Sequence, residues 1–406
     1  MRKIHPDTPN TDRPRIVDST LREGEQYARA HFSSRDRLEI ARALDAFGVD
    51  ILELTSPAAS RRSAADLATI ASAGLRARVV THVRCHPDDV RAAIDCGAQG
   101  VQLFLGSSEL LREHGHGRSL SRMLHDLAGV LQLAHDAGIP ARFSCEDAFR
   151  TSREDLAKLC WGAQELGAVR VGLADTVGRA TPEMVTEVVS AVRDVVDCEI
   201  EFHGHNDGGC AVANAWAAWR AGATHIDTTV LGIGERNGIA PLAGLIARLV
   251  LHDPDLCADL ALTRLVDLDR LVADRLGIEI PHDACISAPE AFTHKAGLHT
   301  AAVLVEPRCY ESLDPAMFGR SRRIPLGHRL IGRHALAARA AGLGLCLSPA
   351  VVASVTAEVK RRADDGPLEL DAVDALLRAA AEPVVPEVSS PARRDVAVAA
   401  SLESRS

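Results

Sequence analysis

The sequence predicts an α/β protein, a (β/α)8 barrel followed by a small, mostly helical C-terminal region. Three observations predict it. Eight short β-rich runs alternate with amphipathic helical stretches over about 240 residues, the count and length of such a barrel. Many helical stretches are followed by a glycine (Gly48, Gly74, Gly97, Gly138, Gly167, Gly222), which can take the left-handed conformation that ends a helix. No G-x-G-x-x-G follows the first run, which disfavours an open dinucleotide-binding sheet.

The strand runs, in order, are Arg15–Asp18, Ile51–Leu54, Ala77–Val83, Val101–Gly106, Ala141–Asp147, Arg170–Asp175, Glu199–His205 and Thr224–Leu231. Helical periodicity fills Ser34–Phe47, Ser121–Ala137, Arg153–Leu166, Pro182–Val195 and Ala211–Ala221 between them. After Leu251 the alternation stops. Thr263–Leu276 reads as one helix, with Thr263 as N-cap and Gly277 and Pro281 ending it. A loop-rich section with His294, His299 and Tyr310 follows, then three short helices over Arg333–Gly342, Pro349–Asp364 and Leu370–Ala380. The expected organisation is a flexible N-terminus (1–13), a barrel (14–275), a linking section (276–320), a helical subdomain (321–381) and a disordered tail (382–406).

Composition narrows the function. The 406 residues are 47% apolar and 25% charged, which excludes a disordered or fibrous chain, and with 3% aromatics the core must be aliphatic. The net charge of −9 argues against nonspecific nucleic-acid binding but permits local basic pockets. No apolar run is long enough for a membrane span, and the first residues are polar, unlike a signal peptide. Ten scattered cysteines without a C-x-x-C pair read as reduced thiols, so a cytoplasmic location is expected.

Active sites of such barrels lie at the C-terminal ends of the strands and in the loops after them. Polar residues gather there. The first run leads into Asp18-Ser19-Thr20-Leu21-Arg22-Glu23, the third ends in His82, the fourth carries Gln102, and the sixth runs into Asp175-Thr176. Because strand side chains alternate faces, Arg142, Ser144 and Glu146 project together, as do Glu201, His203 and His205. Two inward imidazoles with Glu23 or Asp18 as an oxygen donor make a divalent-metal site with positions open for substrate. Alone, a His-x-His pair is ordinary polar packing; its place on the seventh strand, with polar ends on four others, gives it weight. Arg142 and Glu146 could instead form an intrabarrel ion pair, and Asp175 could cap the helix opened by Thr181-Pro182. His114, His116, His225 and the Arg61-Arg62 pair read as loop, packing or surface residues, and Cys145 faces outward as a structural thiol.

The runs Asp18–Gln26 (DSTLREGEQ), Glu53–Pro57 (ELTSP), Arg142–Arg150 (RFSCEDAFR), Gly172–Gly178 (GLADTVG), His203–Asp207 (HGHND), Leu231–Gly238 (LGIGERNG) and Phe292–His299 (FTHKAGLH) carry a resemblance. In this order they resemble the metal-dependent Claisen-condensing barrels that include homocitrate synthase and isopropylmalate synthase, nearer the former. The resemblance spans roughly residues 14 to 380. It implies an acyltransferase that converts an acyl group to an alkyl group on transfer, condensing acetyl-CoA with a 2-oxo acid. Glu23, His203 and His205 would hold the divalent cation (Mg, Mn or Zn), and Arg22 would stabilise the developing alkoxide. Thr176 would help hold the C1 carboxylate; His82, Arg142 and Ser144 would hold the far acidic group. Glu146 and His299, with Tyr310, would supply the acid and base that enolise acetyl-CoA. His299 would reach the site of the partner in a domain-swapped homodimer.

One position departs from the family pattern: Gln102 stands where homocitrate synthases generally carry an acid beside the far end of the substrate. The neutral amide removes an ammonium partner, so lysine feedback inhibition is not expected, and it lowers the negative charge of the pocket. The reading is therefore homocitrate formation from 2-oxoglutarate, with a 2-phosphonomethylmalate or 2-phosphinomethylmalate synthase of antibiotic biosynthesis, acting on phosphonopyruvate, as the near alternative. Oxaloacetate, giving citrate, comes third. A metal-dependent lyase or aldolase is disfavoured by the section bearing His299 and Tyr310, and an inactive regulatory barrel by the retained polar set.

Overall fold

Eight parallel strands close on themselves in sequence order in the computed structural model, which describes residues 12–381. They are β1 (Arg15–Asp18), β2 (Ile51–Leu54), β3 (Arg78–Arg84), β4 (Val101–Gly106), β5 (Ala141–Glu146), β6 (Arg170–Asp175), β7 (Glu199–Gly204) and β8 (His225–Thr228). Closure runs through β1 and β8, where Arg15 pairs with His225 and Asp18 with Thr228. The (β/α)8 barrel expected from the alternation is thus present. The tail 382–406 and residues 1–11 of the expected flexible N-terminus lie outside the described residues.

The strands bury most of both faces, and in β5, β7 and β8 buried polar residues alternate with the apolar ones. Ile16, Leu52, Val79, Leu103, Phe143, Leu173, Phe202 and Ile226 are fully or almost fully buried, and alternation directs them to the helix layer. Val17, Ile51 and Val80 form a separate small apolar cluster from alternate positions of β1, β2 and β3. The helices begin where capping chemistry places them. Ser33 and Asp36 form a reciprocal capping box at Ser34–Phe47, and Thr181 caps Pro182–Arg193. All six helix-ending glycines take positive φ, between 70° and 112°.

Two elements differ from expectation in more than an end shifted by one or two residues. β8 stops at Thr228 rather than Leu231, because Leu231 (φ 60°) and Gly232 (φ 69°) turn the chain into a short 3-10 turn over Val230–Gly232. Thr263 is not an N-cap: it lies within the 3-10 turn Leu262–Arg264, and the helix Leu265–Leu276 starts without a side-chain cap. Gly277 ends that helix in the left-handed conformation, as expected.

The chain divides into two compact units between Ser287 and Ala288. In the second, helices Gly297–Val303, Arg333–Gly342, Pro349–Arg362 and Leu370–Ala379 are present, and Leu336, Val355, Val359, Val373 and Leu377 make its core. All ten cysteines are free thiols. No helix among the described residues is long and apolar enough to cross a membrane.

Candidate active site

Three donor groups meet at the C-terminal mouth of the barrel. One ligand atom each from Glu23, His203 and His205 lies within 4.8 Å of the others, and all three residues are buried. The histidines sit two apart at the end of β7, so the strand's two-residue period turns both to one face. Their Nε2 atoms stand 3.3 Å apart. Burial pushes both imidazoles down to about 4, so near neutral pH each is uncharged and offers a lone pair. His203 Nδ1 lies 2.7 Å from Asp227 Oδ2; in the tautomer whose Nδ1–H donates to that oxygen, the Nε2 lone pair faces the gap. Glu23 reaches the same place because Gly234 lacks a side chain: a Cβ there would come within 2.6 Å of Glu23 Oε1. The N–H of Glu235 also donates to Glu23 Oε1, at 2.7 Å. Two neutral imidazoles and a carboxylate converging in a buried site suit a divalent cation. Asp18, the other oxygen donor expected here, is outside this group; its Oδ1 accepts from the Thr20 N–H at 2.9 Å.

Arg22 lies beside this triad in a ring of carboxylates. It donates to Glu23 at 2.6 Å through Nη1 and to Glu53 at 2.9 Å through Nη2, with Asp227 3.5 Å away. Glu53 is fully buried, and its other oxygen stands 2.8 Å from His82 Nδ1. Arg22 and His82 hold the Glu53 carboxyl well below the usual range against the opposing effect of burial. The His82 ring stacks on Phe104, with centroids 4.4 Å apart, and burial keeps it neutral, with a pKa of about 4. A cavity of about 560 Å³ opens here, lined by Arg22, Gln26, Thr55, Ser56, His82 and Phe104.

Strand register sets the next residues side by side. His82 on β3 is opposite Gln102 on β4, and Gln102 is opposite Arg142 on β5. Both amide atoms of Gln102 are buried without a hydrogen-bond partner. Arg142 pairs through Nη2 with Glu201, which also faces Arg170 at 3.1 Å, while Arg142 Nε and Nη1 have no partner. The Arg142–Glu146 ion pair weighed from sequence is therefore not formed. Arg142 can lie across β6 because Gly172 stands there: a Cβ on it would meet Arg142 Nε at 3.0 Å and Ser144 Oγ at 2.8 Å. Glu146 ends β5, where burial and the neighbouring Asp147 raise its carboxyl pKa. Thr176 follows β6 and accepts from the Asp147 N–H at 2.8 Å. Asp175 takes the N–H groups of Arg179 and Ala180, capping the turn ahead of the helix that Thr181 itself caps. Cys145, fully buried, faces Cys160 with sulfurs 4.0 Å apart, a packing thiol as expected.

His299 and Tyr310 lie in the second unit, stacked on each other with ring centroids 4.1 Å apart, and both are exposed. Sequence reasoning quoted the run containing Glu53 but gave it no role, and it missed Asp227. Only their partners mark them out: Arg22 in the loop after β1, His82 on β3 and His203 on β7.

A model of the HMGL-like family matches residues 13–272, and one of the homocitrate synthase post-HMGL domain matches residues 286–367. The mitochondrial homocitrate synthase of Schizosaccharomyces pombe is 46% identical over 364 residues, covering 89% of this chain and 87% of the relative. The chain belongs to the homocitrate synthase and isopropylmalate synthase family. Relatives include the cytosolic homocitrate synthase isozyme of Saccharomyces cerevisiae (44% identical; 91% of this chain, 86% of the relative). A homocitrate synthase of Methanopyrus kandleri is 39% identical (86% of this chain, 87% of the relative). In solved structures, the Bacillus subtilis HMG-CoA lyase shares the barrel, with a TM-score of 0.62 at 22% identity (68% of this chain, 97% of that one).

Proposed function

We propose that this family member is an acyltransferase that condenses acetyl-CoA with 2-oxoglutarate and releases CoA and homocitrate. One observation carries the reading: the Glu23–His203–His205 triad adjoins Arg22 at one end of a mouth whose strand neighbours, His82, Gln102 and Arg142, can take a second acidic group. Close identity to homocitrate synthases over most of both chains supports the same substrate pair.

A divalent cation (Mg, Mn or Zn) held by Glu23, His203 and His205 would polarise the keto group of the 2-oxo acid. Arg22, permanently charged and locked by its carboxylates, faces negative charge as it develops on the keto oxygen. Arg142 offers its unpartnered Nε–H and Nη1–H to the distal carboxylate, with Gln102, His82 and Ser144 beside it. Thr176 helps hold the C1 carboxylate. Glu146, whose raised pKa favours the protonated form, is the acid, and His299 with Tyr310 takes the proton from the acetyl methyl. The methyl carbon then bonds to the keto carbon as the C=O π pair moves onto oxygen, which takes up a proton, and water cleaves the thioester to free CoA.

The exposure of His299 and Tyr310 supports a homodimer in which one copy lends them to the other's barrel. The ten free thiols support a cytoplasmic setting. The test is CoA release with 2-oxoglutarate, oxaloacetate and phosphonopyruvate. The highest kcat/KM should belong to 2-oxoglutarate. Preference for phosphonopyruvate would overturn the substrate, and no release with any of the three would overturn the reaction.

A further inference from the structure

The second unit holds a buried ionic cluster that the chemistry above does not use. Glu311 accepts from Arg322 through both oxygens, at 2.6 Å from Nε to Oε1 and with Nη2 on Oε2, and Oε1 is also 2.9 Å from His294 Nε2. The carboxylate side chain is only 7% exposed. Arg322 and His294 hold its pKa low against the opposing effect of burial. Such a cluster is weak ground for stability, since removing charges from water costs about what their attraction returns. What a two-pronged arginine–carboxylate pair supplies is orientation.

The three residues brace the section that bears the proposed acid–base pair. Glu311 follows Tyr310 directly, and its N–H and that of Tyr310 both donate to the Pro307 carbonyl. His294 stands just before the helix Gly297–Val303 that carries His299. Arg322 adjoins Arg323, which pairs with Thr293; the His294 N–H donates to the Arg323 carbonyl at 2.9 Å. One buried carboxylate, directly after Tyr310, thus ties that residue's backbone to Arg322 and to the approach to His299. The rings above it are exposed and touch each other at 4.1 Å.

We propose that Glu311, clamped by Arg322 and His294, is a positioning residue that aims the His299–Tyr310 pair at the acetyl methyl group. The proposal rests on the acid–base role given to His299 above. Binding of 2-oxoglutarate belongs to the barrel, so loss of the brace should slow proton abstraction and leave oxo-acid affinity alone.

The experiment compares full-length wild type, Glu311→Gln, Glu311→Ala and His299→Ala by CoA release, with ordinary and trideuterated acetyl-CoA. Glu311→Ala should lower kcat by about a hundredfold, the scale of a small misplacement of a reacting group, with KM for 2-oxoglutarate within about twofold of wild type. The isotope effect on kcat should rise as proton abstraction becomes limiting. Glu311→Gln, isosteric and able to keep one arginine contact, should fall between, and it serves if the alanine variant fails to fold. Wild-type kcat and isotope effect in both Glu311 variants, with His299→Ala inactive, would overturn the proposal and leave the reading of His299 intact. A matching loss of oxo-acid affinity would reduce Glu311 to a structural residue and also overturn it. An active His299→Ala would overturn the underlying reading itself.

Discussion

Gln102→Glu places a carboxylate at a position only 1% exposed, between His82 and Arg142 on the neighbouring strands. Burial would favour its neutral form, but Arg142 has two unpartnered N–H groups at hand to stabilise the charge. Once ionised, the introduced carboxylate would compete with the substrate's distal group for Arg142 and repel it. Neighbouring strands stand about 4.8 Å apart, so the new charge and a bound distal carboxylate would sit at about 4 to 5 Å. At an effective dielectric near 20 that repulsion is about 3 to 4 kcal/mol for a single negative charge and about twice that for a doubly charged phosphonate. The extra cost to the phosphonate corresponds to a fall of at least about a hundredfold in its kcat/KM relative to 2-oxoglutarate. The assay is CoA release against both acids for wild type and variant at one ionic strength. An unchanged ratio of the two kcat/KM values would refute the argument that Gln102 sets the pocket's charge.

Other perturbations follow from the same contacts. His203→Ala removes one of three donors and should abolish both retention of the divalent metal and turnover; full activity in the presence of a strong chelator would sink the metal reading. Glu53→Gln strips the shared carboxylate from Arg22 and His82 and should cost about a hundredfold or more in kcat/KM for 2-oxoglutarate, because Arg22 loses a buried charged partner; near-normal kinetics would contradict it. Asp269, on the helix Leu265–Leu276, is pushed up to about 7 by burial. Between about pH 4 and 7 the folded protein holds a proton there that the unfolded chain releases, so its contribution is full below about 4 and lost as pH rises through 7. Asp269→Asn should therefore gain up to about 4 kcal/mol over wild type above pH 7 and nothing near pH 4, read from urea midpoints; a constant offset across that range would count against the shift.

Much of the fold could be read from sequence because its signals are local. β1, β2, β4 and β6 have the expected bounds, since each apolar run is short and ends in polar residues or a turn. The His203–His205 pair was legible for the same reason, as strand alternation acts over two residues. β8 ran too far because Thr229, Val230 and Leu231 look like more strand, while the turn there is made by Leu231 taking the left-handed conformation, which its side chain does not advertise. Glu53, Asp227 and the pairing of Glu201 with Arg142 were obscure for the opposite reason. Their partners lie 24 to 205 residues away on other elements of the barrel, and no local spacing records that.

Those three carboxylates bear on how one pocket can combine a cation site with an anionic substrate. A bare set of Arg22, Arg142 and Arg170 in a buried barrel would repel itself and pull any acid into whatever pose came first. Glu53, Asp227 and Glu201 each occupy one side of an arginine or histidine and leave another side open: Arg142 keeps Nε and Nη1, and His203 keeps Nε2. The buried acids therefore act less as opposing charge than as supports that fix which donor faces the ligand. Placing the support on a neighbouring strand makes the aim depend on barrel register, which the eight closed strands hold rigid. The proposed acid–base pair in the second unit lies on a loop and a short helix, without that register, and there a single buried carboxylate, Glu311, would take over the support that the barrel strands give each other.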